Sequence, residues 1–251
     1  LPHWDQIARC RGVKNRPVLL RVLRALHQGK FSFAIEPIYC MRRQDVAFQE
    51  VLLRLKDENG TLISAPEVFS VVAENRMSAD VALYLLYYQL LFRNVLNGTA
   101  SMNVNPLLLS EPAQRKRFWQ MLADYAAEGQ AKKVILEVLE TRPLPITPEL
   151  LGFMEQVQAL GYTWALDDFG DGHHTLDHIR ELPLAYVKLC AQYSQRLADN
   201  RTPSPMAHLV LKTCCEQNLP LVAENIRTAE QMQNLHNWHG INLSQSYDMP
   251  N

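Results

Sequence analysis

Hydrophobic and polar positions along the chain alternate between two periods, one typical of strands and one typical of helices. Short apolar runs rich in β-branched residues precede longer amphipathic stretches, and this order repeats through most of the sequence. The pattern predicts strands at residues 31–40, 45–55, 100–105, 133–139, 163–168, 185–189, 219–223 and 241–244. It predicts helices at residues 16–29, 113–128, 148–160, 176–182, 206–217 and 229–238, with a further helical region at 66–95.

The alternation of strands and helices favours an α/β fold, either a TIM-like (β/α)8 barrel or a doubly wound sheet. Only residues 41–44 separate the first two strands. A parallel crossover needs a dozen residues or more, so we expect these two strands to form an antiparallel hairpin. The remaining strands can be parallel. We favour the α/β barrel, with the first strand antiparallel, and the doubly wound sheet stays as the alternative.

Two sequence features indicate where helices begin. Thr147 and Pro148 combine a capping hydroxyl with a proline at a position that needs no amide donor. The helical region at residues 66–95 is expected to be interrupted near Met77, with Ser78 as the N-cap of its second half.

The 251 residues suit one large domain, and 25 basic residues nearly balance 26 acidic residues, for a net charge of −1. This balance gives no general reason to bind DNA or an anionic membrane. The five cysteines fit neither a disulfide framework nor a zinc site, so we expect free thiols and a cytoplasmic location. Because the chain starts at Leu1, we expect a longer protein whose other parts could anchor it to the inner membrane.

Polar residues stand at or near the ends of successive predicted strands. A single acidic residue in such a place is most often a strand end that reaches solvent or a cap for the next helix. Barrel closure, however, brings the carboxyl ends of all parallel strands to one rim, where barrel enzymes place their sites. The residues concerned are Glu50, Arg54, Asn103, Glu137, Glu140, Asp167, Asp168, Lys188, Glu224 and Gln245.

Repulsion among these carboxylates predicts a bound cation. Two carboxylates about 4 Å apart repel by roughly 4 kcal/mol at an effective dielectric constant of about 20. Lys188 and Arg54 supply only part of the positive charge that the set requires. Oxygen ligands favour Mg²⁺ or Mn²⁺ over zinc. The number of oxygen ligands in this set makes two ions plausible, as in many phosphoester hydrolases.

At these residues the chain resembles the EAL-domain family, the cyclic di-GMP phosphodiesterases of bacteria. The signature tripeptide appears as Glu50-Val51-Leu52. The other family motifs match, in chain order, Asn103-Val104-Asn105-Pro106, Glu137 with Glu140, Asp167-Asp168-Phe169-Gly170, Lys188, Ala223-Glu224 and Gln245-Ser246-Tyr247. The resemblance places the barrel domain at residues 23–251 and leaves residues 1–22 as a linker or helix of the longer protein.

The resemblance implies metal-dependent hydrolysis of cyclic di-GMP to linear pGpG, with Mg²⁺ or Mn²⁺ at two sites. The first ion would be held by Glu50, Asn103, Glu137 and Asp167, and the second by Asp167, Asp168 and Glu224. The catalytic residues would be Glu50, Lys188 and Glu224, with Lys188 orienting the attacking water or offsetting developing charge. Arg54 would hold a phosphate oxygen, and Glu36 and Gln245 would also contact the substrate.

The resemblance also implies a homodimer that is linked to the metal site through the loop after the paired aspartates. The residues expected to form this regulatory region are Glu140, Gly170, Asp171, His173 and His174, with both histidines in solvent. The chain departs from the family pattern at several positions. These departures are Glu36 for glutamine, Val51 for alanine, Asp171, His173 and His174 in the loop, Cys190 for aspartate, Asn225 for glycine, Arg227 for glutamate and Ser246 for glycine.

Three functions are compatible with this sequence. The first is an active phosphodiesterase, which we favour because every expected metal ligand is present. The second is a degenerate EAL domain that binds cyclic di-GMP as a receptor without cleaving it. The third is a protein-interaction module that no longer binds the nucleotide.

Overall fold

The computed structural model describes residues 14–75, 77–129 and 131–246 of the chain. The strands in these ranges are β1 Phe31–Cys40, β2 Asp45–Lys56, β3 Leu62–Ile63, β4 Ala100–Val104, β5 Val134–Val138, β6 Thr163–Phe169, β7 Leu184–Leu189, β8 Leu221–Ile226 and β9 Leu243–Ser246. The α-helices are α1 Arg16–His27, α2 Ala65–Glu74, α3 Ser78–Arg93, α4 Leu107–Ser110, α5 Pro112–Ala126, α6 Pro148–Ala159, α7 Leu176–Glu181, α8 Ala191–Asp199, α9 Pro205–Glu216 and α10 Ala229–His239.

The strands form a closed barrel. The order β1-β9-β8-β7-β6-β5-β4-β2 is closed by pairing of β1 with β2, while β3 extends the sheet beside β2. Closure excludes the doubly wound sheet, which has two open edges. β1 runs antiparallel to both neighbours, whereas β2 and the strands β4 to β9 are parallel. The predicted barrel with an antiparallel first strand is therefore confirmed.

The barrel interior has an apolar end and a polar end. Ile38, Phe48, Ile135, Ala165 and Val222 are buried together inside the barrel. Because side chains alternate across a strand, residues two positions further along the parallel strands of Phe48, Ile135, Ala165 and Val222 also point inward. Those next inward positions include Glu50, Glu137, Asp167 and Glu224. The carboxylates therefore form the next inward-facing layer after the apolar one, towards the carboxyl end of the parallel strands.

Helix starts agree with the sequence at one position and not at another. Thr147 caps α6, since its hydroxyl accepts a hydrogen bond of 3.2 Å from the amide of Leu150. The prediction that Ser78 caps α3 is wrong, because Ser78 is already helical and Met77 holds the cap position. The sequence does not predict helix α8, because this helix is short and most of its residues are polar.

Helix α1 crosses the expected domain boundary between residues 22 and 23. Its residues Leu19, Val22, Leu23 and Leu26 are fully buried in a cluster that includes Leu55 of β2. Residues 1–13 of the expected linker and Tyr247 of the last family motif lie outside the described residues. Within the described residues, no helix has the length and apolar character needed to cross a bilayer.

Candidate metal centre and active site

The expected metal ligands come together at the carboxyl end of the parallel strands. Two groups of carboxylates each bring their oxygen atoms within 4.8 Å of one another. One group comprises Glu50, Glu137 and Asp167, and the other comprises Asp167, Asp168 and Glu224. Asp167 belongs to both, so it can bridge two neighbouring cation positions. These ligands come from strands β2, β5, β6 and β8.

Lys188 of β7 lies among these carboxylates with 2% of its side chain exposed. Its Nζ atom is 2.7 Å from Asp167 Oδ1 and 3.0 Å from Glu50 Oε2. It is 3.3 Å from Glu137 Oε2 and 3.0 Å from Glu224 Oε1. Burial lowers the pKa of the ammonium group, but the surrounding carboxylates overcome that effect and raise its pKa well above the usual value. Lys188 is therefore a permanent cation of the site.

One lysine does not balance the acidic groups. Burial, together with the charges of Glu50 and Asp167, raises the pKa of Glu137 well above its usual value despite Lys188. Burial raises the pKa of Glu224 to about 8, and the charges of Asp167 and Asp168 add to the effect. Carboxylates whose pKa is raised in this way take up protons unless a cation stabilises their charge. The site therefore requires further positive charge if all its carboxylates are to stay ionised.

Asn103 of β4 also fits a cation. Its Nδ2 atom donates a hydrogen bond of 3.1 Å to Glu50 Oε1. Its Oδ1 atom is buried and has no hydrogen-bond partner among the described residues. A buried amide oxygen without a partner is unfavourable, and amide oxygens are good ligands for hard divalent ions. The donor set of carboxylate and amide oxygens thus matches Mg²⁺ or Mn²⁺.

The expected substrate-binding residues form a chain at the edge of this centre. Arg54 Nη2 is 3.3 Å from Glu36 Oε1, and the other oxygen of Glu36 accepts a hydrogen bond of 2.7 Å from Gln245 Nε2. Gln245 Nε2 also lies 3.1 Å from Glu50 Oε2. Glu36 and Glu50 are direct partners in the β1–β2 register. These contacts connect the arginine at the rim to the candidate metal centre.

Local backbone conformation shapes two of the strand ends. Asp168 has a φ of 52° and Asn225 a φ of 53°, and each directly follows an expected metal ligand. The register of β6 shifts between Leu166 and Phe169, and that of β8 shifts between Ala223 and Ile226. Such bulges redirect side chains at barrel rims.

Glu140 fixes the loop after β6. Its carboxylate is buried and accepts hydrogen bonds from the backbone amides of Gly170, Asp171 and His174. Gly170 has a φ of 109°, and a Cβ atom there would lie 2.0 Å from the ring of Tyr193. Both observations require glycine at this position. The loop is therefore held by specific contacts next to Asp167 and Asp168.

The two histidines of this loop differ. His173 is exposed, as expected, and so is Asp171, but His174 is buried with none of its side chain accessible. The prediction that His174 is solvated is therefore wrong, because adjacent loop residues point in opposite directions and His174 points inward. Burial, with the nearby His178, lowers the pKa of His174 to about 4. Its ring is thus neutral at pH 7.

Two residues that the sequence reasoning missed support the site. Ser194 of α8 accepts a hydrogen bond of 2.9 Å from the amide of Glu224 and donates one of 3.1 Å to the carbonyl of Leu189. His178 of α7 lies 2.8 Å from the carbonyl of Leu144 through Nε2 and accepts from the amide of Thr175 through Nδ1. The sequence of α8 is mostly polar, so nothing in it indicated a role for Ser194. His178 is a single histidine after the loop, and its spacing did not indicate a role either.

This fold and centre define an α/β barrel protein with a candidate site for divalent cations. The family model of the EAL domain matches residues 20–244. The chain belongs to the EAL domain family, which confirms the resemblance found in its sequence.

Individual proteins agree with this assignment. The chain is 25% identical over 236 residues to the cyclic di-GMP phosphodiesterase PdeL of Escherichia coli (strain K12), covering 89% of this chain and 62% of that relative. The structure of PaMucR phosphodiesterase in a c-di-GMP complex has a TM-score of 0.76 at 20% identity, covering 92% of this chain and 94% of that one. The FimX EAL domain from Pseudomonas aeruginosa bound to c-di-GMP has a TM-score of 0.72 at 16% identity, covering 92% and 93%. At these identities the two structures show a shared fold.

Proposed function

We propose that this domain hydrolyses cyclic di-GMP to linear pGpG with the help of bound divalent cations. The observation that carries the proposal is the pair of carboxylate groups that share Asp167. Support also comes from relatives such as PdeL, which is named a cyclic di-GMP phosphodiesterase. Because this chain spans less than two thirds of that relative, the proposal concerns the catalytic domain rather than the activity of a complete protein.

The described residues suggest how two ions would be held. The first site would use Glu50, Asn103, Glu137 and Asp167, and the second Asp167, Asp168 and Glu224. Divalent ions in such a site supply Lewis acidity and lower the pKa of water. The unpartnered Oδ1 atom of Asn103 and the raised pKa values of Glu137 and Glu224 support these roles.

Hydrolysis forms a bond from water oxygen to phosphorus, breaks the bond to the 3′ oxygen and delivers a proton to that leaving oxygen. Lys188 contacts four of the expected site carboxylates, and no other cationic side chain in the described part of the chain does so. It can donate a hydrogen bond to the attacking water and offset negative charge in the transition state. Glu50 and Glu224 can accept a proton from water, and Arg54 can bind a phosphate oxygen.

The direct test is to incubate the purified protein with cyclic di-GMP and Mn²⁺ or Mg²⁺ and to separate the products by chromatography. The proposal expects pGpG with either metal and none in excess EDTA. Calorimetric titration of cyclic di-GMP in parallel identifies the receptor function, in which the nucleotide binds but remains intact. Absence of both binding and cleavage would leave the protein-interaction function.

The receptor is a second candidate because of one observation. The second carboxylate group includes Glu224, whose pKa of about 8 permits it to be protonated, and protonation reduces the charge that would attract a second ion. A receptor would retain nucleotide binding and show no product at any metal concentration.

The homodimer and the cytoplasmic location remain proposals. The described cysteines Cys40, Cys190, Cys214 and Cys215 are free thiols, which fits a reducing compartment. The loop anchored by Glu140 lies beside both Asp167 and Asp168, so a dimer contact at this loop would be able to move two metal ligands together.

A further inference from the structure

Glu36 brings a negative charge to the place where the substrate phosphate is expected to bind. It lies on β1 opposite Glu50, and like charges directly opposite each other on neighbouring strands are unfavourable. Two contacts offset part of this repulsion, since Gln245 Nε2 donates to both carboxylates and Arg54 contacts Glu36. Glu36 therefore lies between the rim arginine and the acidic centre.

The Glu36–Arg54 pair has the properties of a contact that can be exchanged. The side chain of Arg54 is 40% exposed, that of Glu36 is 16% exposed, and their closest atoms are 3.3 Å apart. Ion pairs with this exposure are weak, whereas guanidinium groups bind phosphate through strong charge-assisted hydrogen bonds. A phosphate group can therefore displace Glu36 from Arg54, but the displaced carboxylate remains beside it.

We propose that Glu36 competes with phosphate for Arg54 and thereby sets the affinity of the site for anionic nucleotides. This inference rests on the proposed function, because it assigns Arg54 to the substrate phosphate. A carboxylate at this place weakens the binding of cyclic di-GMP, which carries two negative charges. It weakens the binding of pGpG further, because hydrolysis leaves a terminal phosphate that carries additional charge. Glu36 thus favours product release over product retention.

The charged groups around Glu36 support this discrimination. Arg54 is the one cationic side chain for which a contact with Glu36 is described, and it already donates through Nη1 to the carbonyl of Leu53. Gln245 contributes a hydrogen bond but no charge. Lys188 is held by four carboxylates deeper in the centre. A phosphate that arrives at Arg54 therefore meets the full effect of the Glu36 carboxylate.

The test is Glu36→Gln, which removes the charge and keeps the shape of the side chain. We expect KM for cyclic di-GMP to fall about tenfold, equivalent to about 1.4 kcal/mol, and Ki for pGpG to fall about thirtyfold or more. The KM difference between the two proteins should shrink at high salt, because the repulsion is screened. Glu58→Gln is the matched control, since Glu58 also pairs with an arginine, Arg24 at 4.0 Å, but lies on an exposed surface.

Several outcomes would overturn the inference. Unchanged KM and Ki in Glu36→Gln would show that the carboxylate does not oppose phosphate, and a higher KM would show that Glu36 instead holds Arg54 in its binding position. If the wild type binds cyclic di-GMP without cleaving it, the hydrolysis proposal fails. In that case, calorimetry measures the dissociation constants of cyclic di-GMP and pGpG for the wild type and Glu36→Gln. The role of Glu36 then requires these constants to differ between the two proteins by the ratios given for KM and Ki. Absence of binding by both the wild type and Glu36→Gln would reject both proposals. A thermal unfolding curve confirms that the variant is folded.

Discussion

At the scale of single residues, Asn225 shows how a departure from the family pattern can still meet the backbone requirement of the site. Asn225 replaces a glycine of the family pattern, yet it adopts a left-handed conformation with a φ of 53°. Asparagine tolerates this region better than most residues other than glycine. Its Oδ1 atom also accepts a hydrogen bond of 3.3 Å from Arg227 Nε. The departure at Asn225 therefore keeps the bulge that follows Glu224.

Glu224 should affect chemistry more than nucleotide binding. Replacement by glutamine, Glu224→Gln, removes a charge that contacts Lys188 and belongs to the second carboxylate group. We expect kcat to fall about 10²–10³-fold, the usual loss for an electrostatic group of the transition state. Cyclic di-GMP binding should remain measurable by calorimetry.

The control for this variant is Glu216→Gln, an exposed glutamate paired with Lys212 at 3.7 Å. Its rate should match that of the wild type. A Glu224→Gln protein with near wild-type turnover would exclude Glu224 from a catalytic role.

At the scale of elements, the loop between β6 and α7 is fixed by buried polar groups rather than by apolar packing alone. Glu140 accepts hydrogen bonds from three backbone amides of this loop. His178 joins α7 to the carbonyl of Leu144 in the segment after β5. The neutral ring of His174 lies between these anchors. The segments that follow β5 and β6 are consequently held together, which explains how Asp167 and Asp168 keep their positions.

This arrangement predicts that His174 contributes to the stability of the domain at neutral pH and that this contribution is lost in acid. The folded pKa of His174 is about 4, below the value of about 6.5 expected in the unfolded chain. The unfolded state therefore binds a proton more readily, and the contribution of His174 is complete above pH 6.5 and lost as the pH falls towards 4. Between pH 7.5 and pH 5 the free energy of unfolding should fall by about 2 kcal/mol from this group.

Urea unfolding in EDTA at these two pH values measures the effect. The change in the free energy of unfolding between pH 7.5 and pH 5 should be about 2 kcal/mol more favourable to the fold in His174→Gln, which cannot titrate, than in the wild type. His173→Gln serves as the control because His173 is exposed and should behave as the wild type does. An equal change in His174→Gln and the wild type would show that His174 does not contribute.

The whole barrel assembles ligands from distant parts of the chain. Lys188 and Glu50 are separated by 138 residues, and Gln245 and Glu50 by 195. Closure through the β1–β2 pair brings these residues within hydrogen-bond distance. Because the carboxylates repel one another, the folded barrel contains electrostatic strain that a cation would relieve.

Metal binding should therefore stabilise the folded barrel. A ligand at about 100 times its Kd adds about 2.7 kcal/mol to the free energy of unfolding. For a domain of this size, we expect Tm to rise by about 5–10 °C in saturating Mn²⁺, reversed by EDTA. Differential scanning fluorimetry at constant ionic strength measures the shift.

The variant Glu137→Gln should lose most of this shift, because Glu137 belongs to the first carboxylate group. Glu216→Gln should retain it. A wild-type Tm that does not respond to millimolar Mn²⁺ would contradict a metal site in this barrel.

The sequence by itself determined the strands of the barrel and most of the residues of its centre, although its pattern was also compatible with a doubly wound sheet until closure of the barrel was seen. Alternating periodicity located all eight barrel strands, and the short connection at residues 41–44 required an antiparallel β1. The positions of Glu137 and Asp167 near strand ends followed from the local pattern and the rule that such ends share one rim, whereas Glu50 lies in the middle of the long strand β2. These features depend on residues close together in the chain, which is why the sequence is sufficient for them.

Only the tertiary structure decided which of these residues touch and which are buried. The four contacts of Lys188 and the pairing of Glu36 with Arg54 depend on the register of neighbouring strands. The burial of His174 and the support of Glu224 by Ser194 depend on how a loop and a helix pack against the barrel. Spacing along a chain contains no information about such contacts, because side chains separated by more than a hundred residues meet only after the barrel has closed.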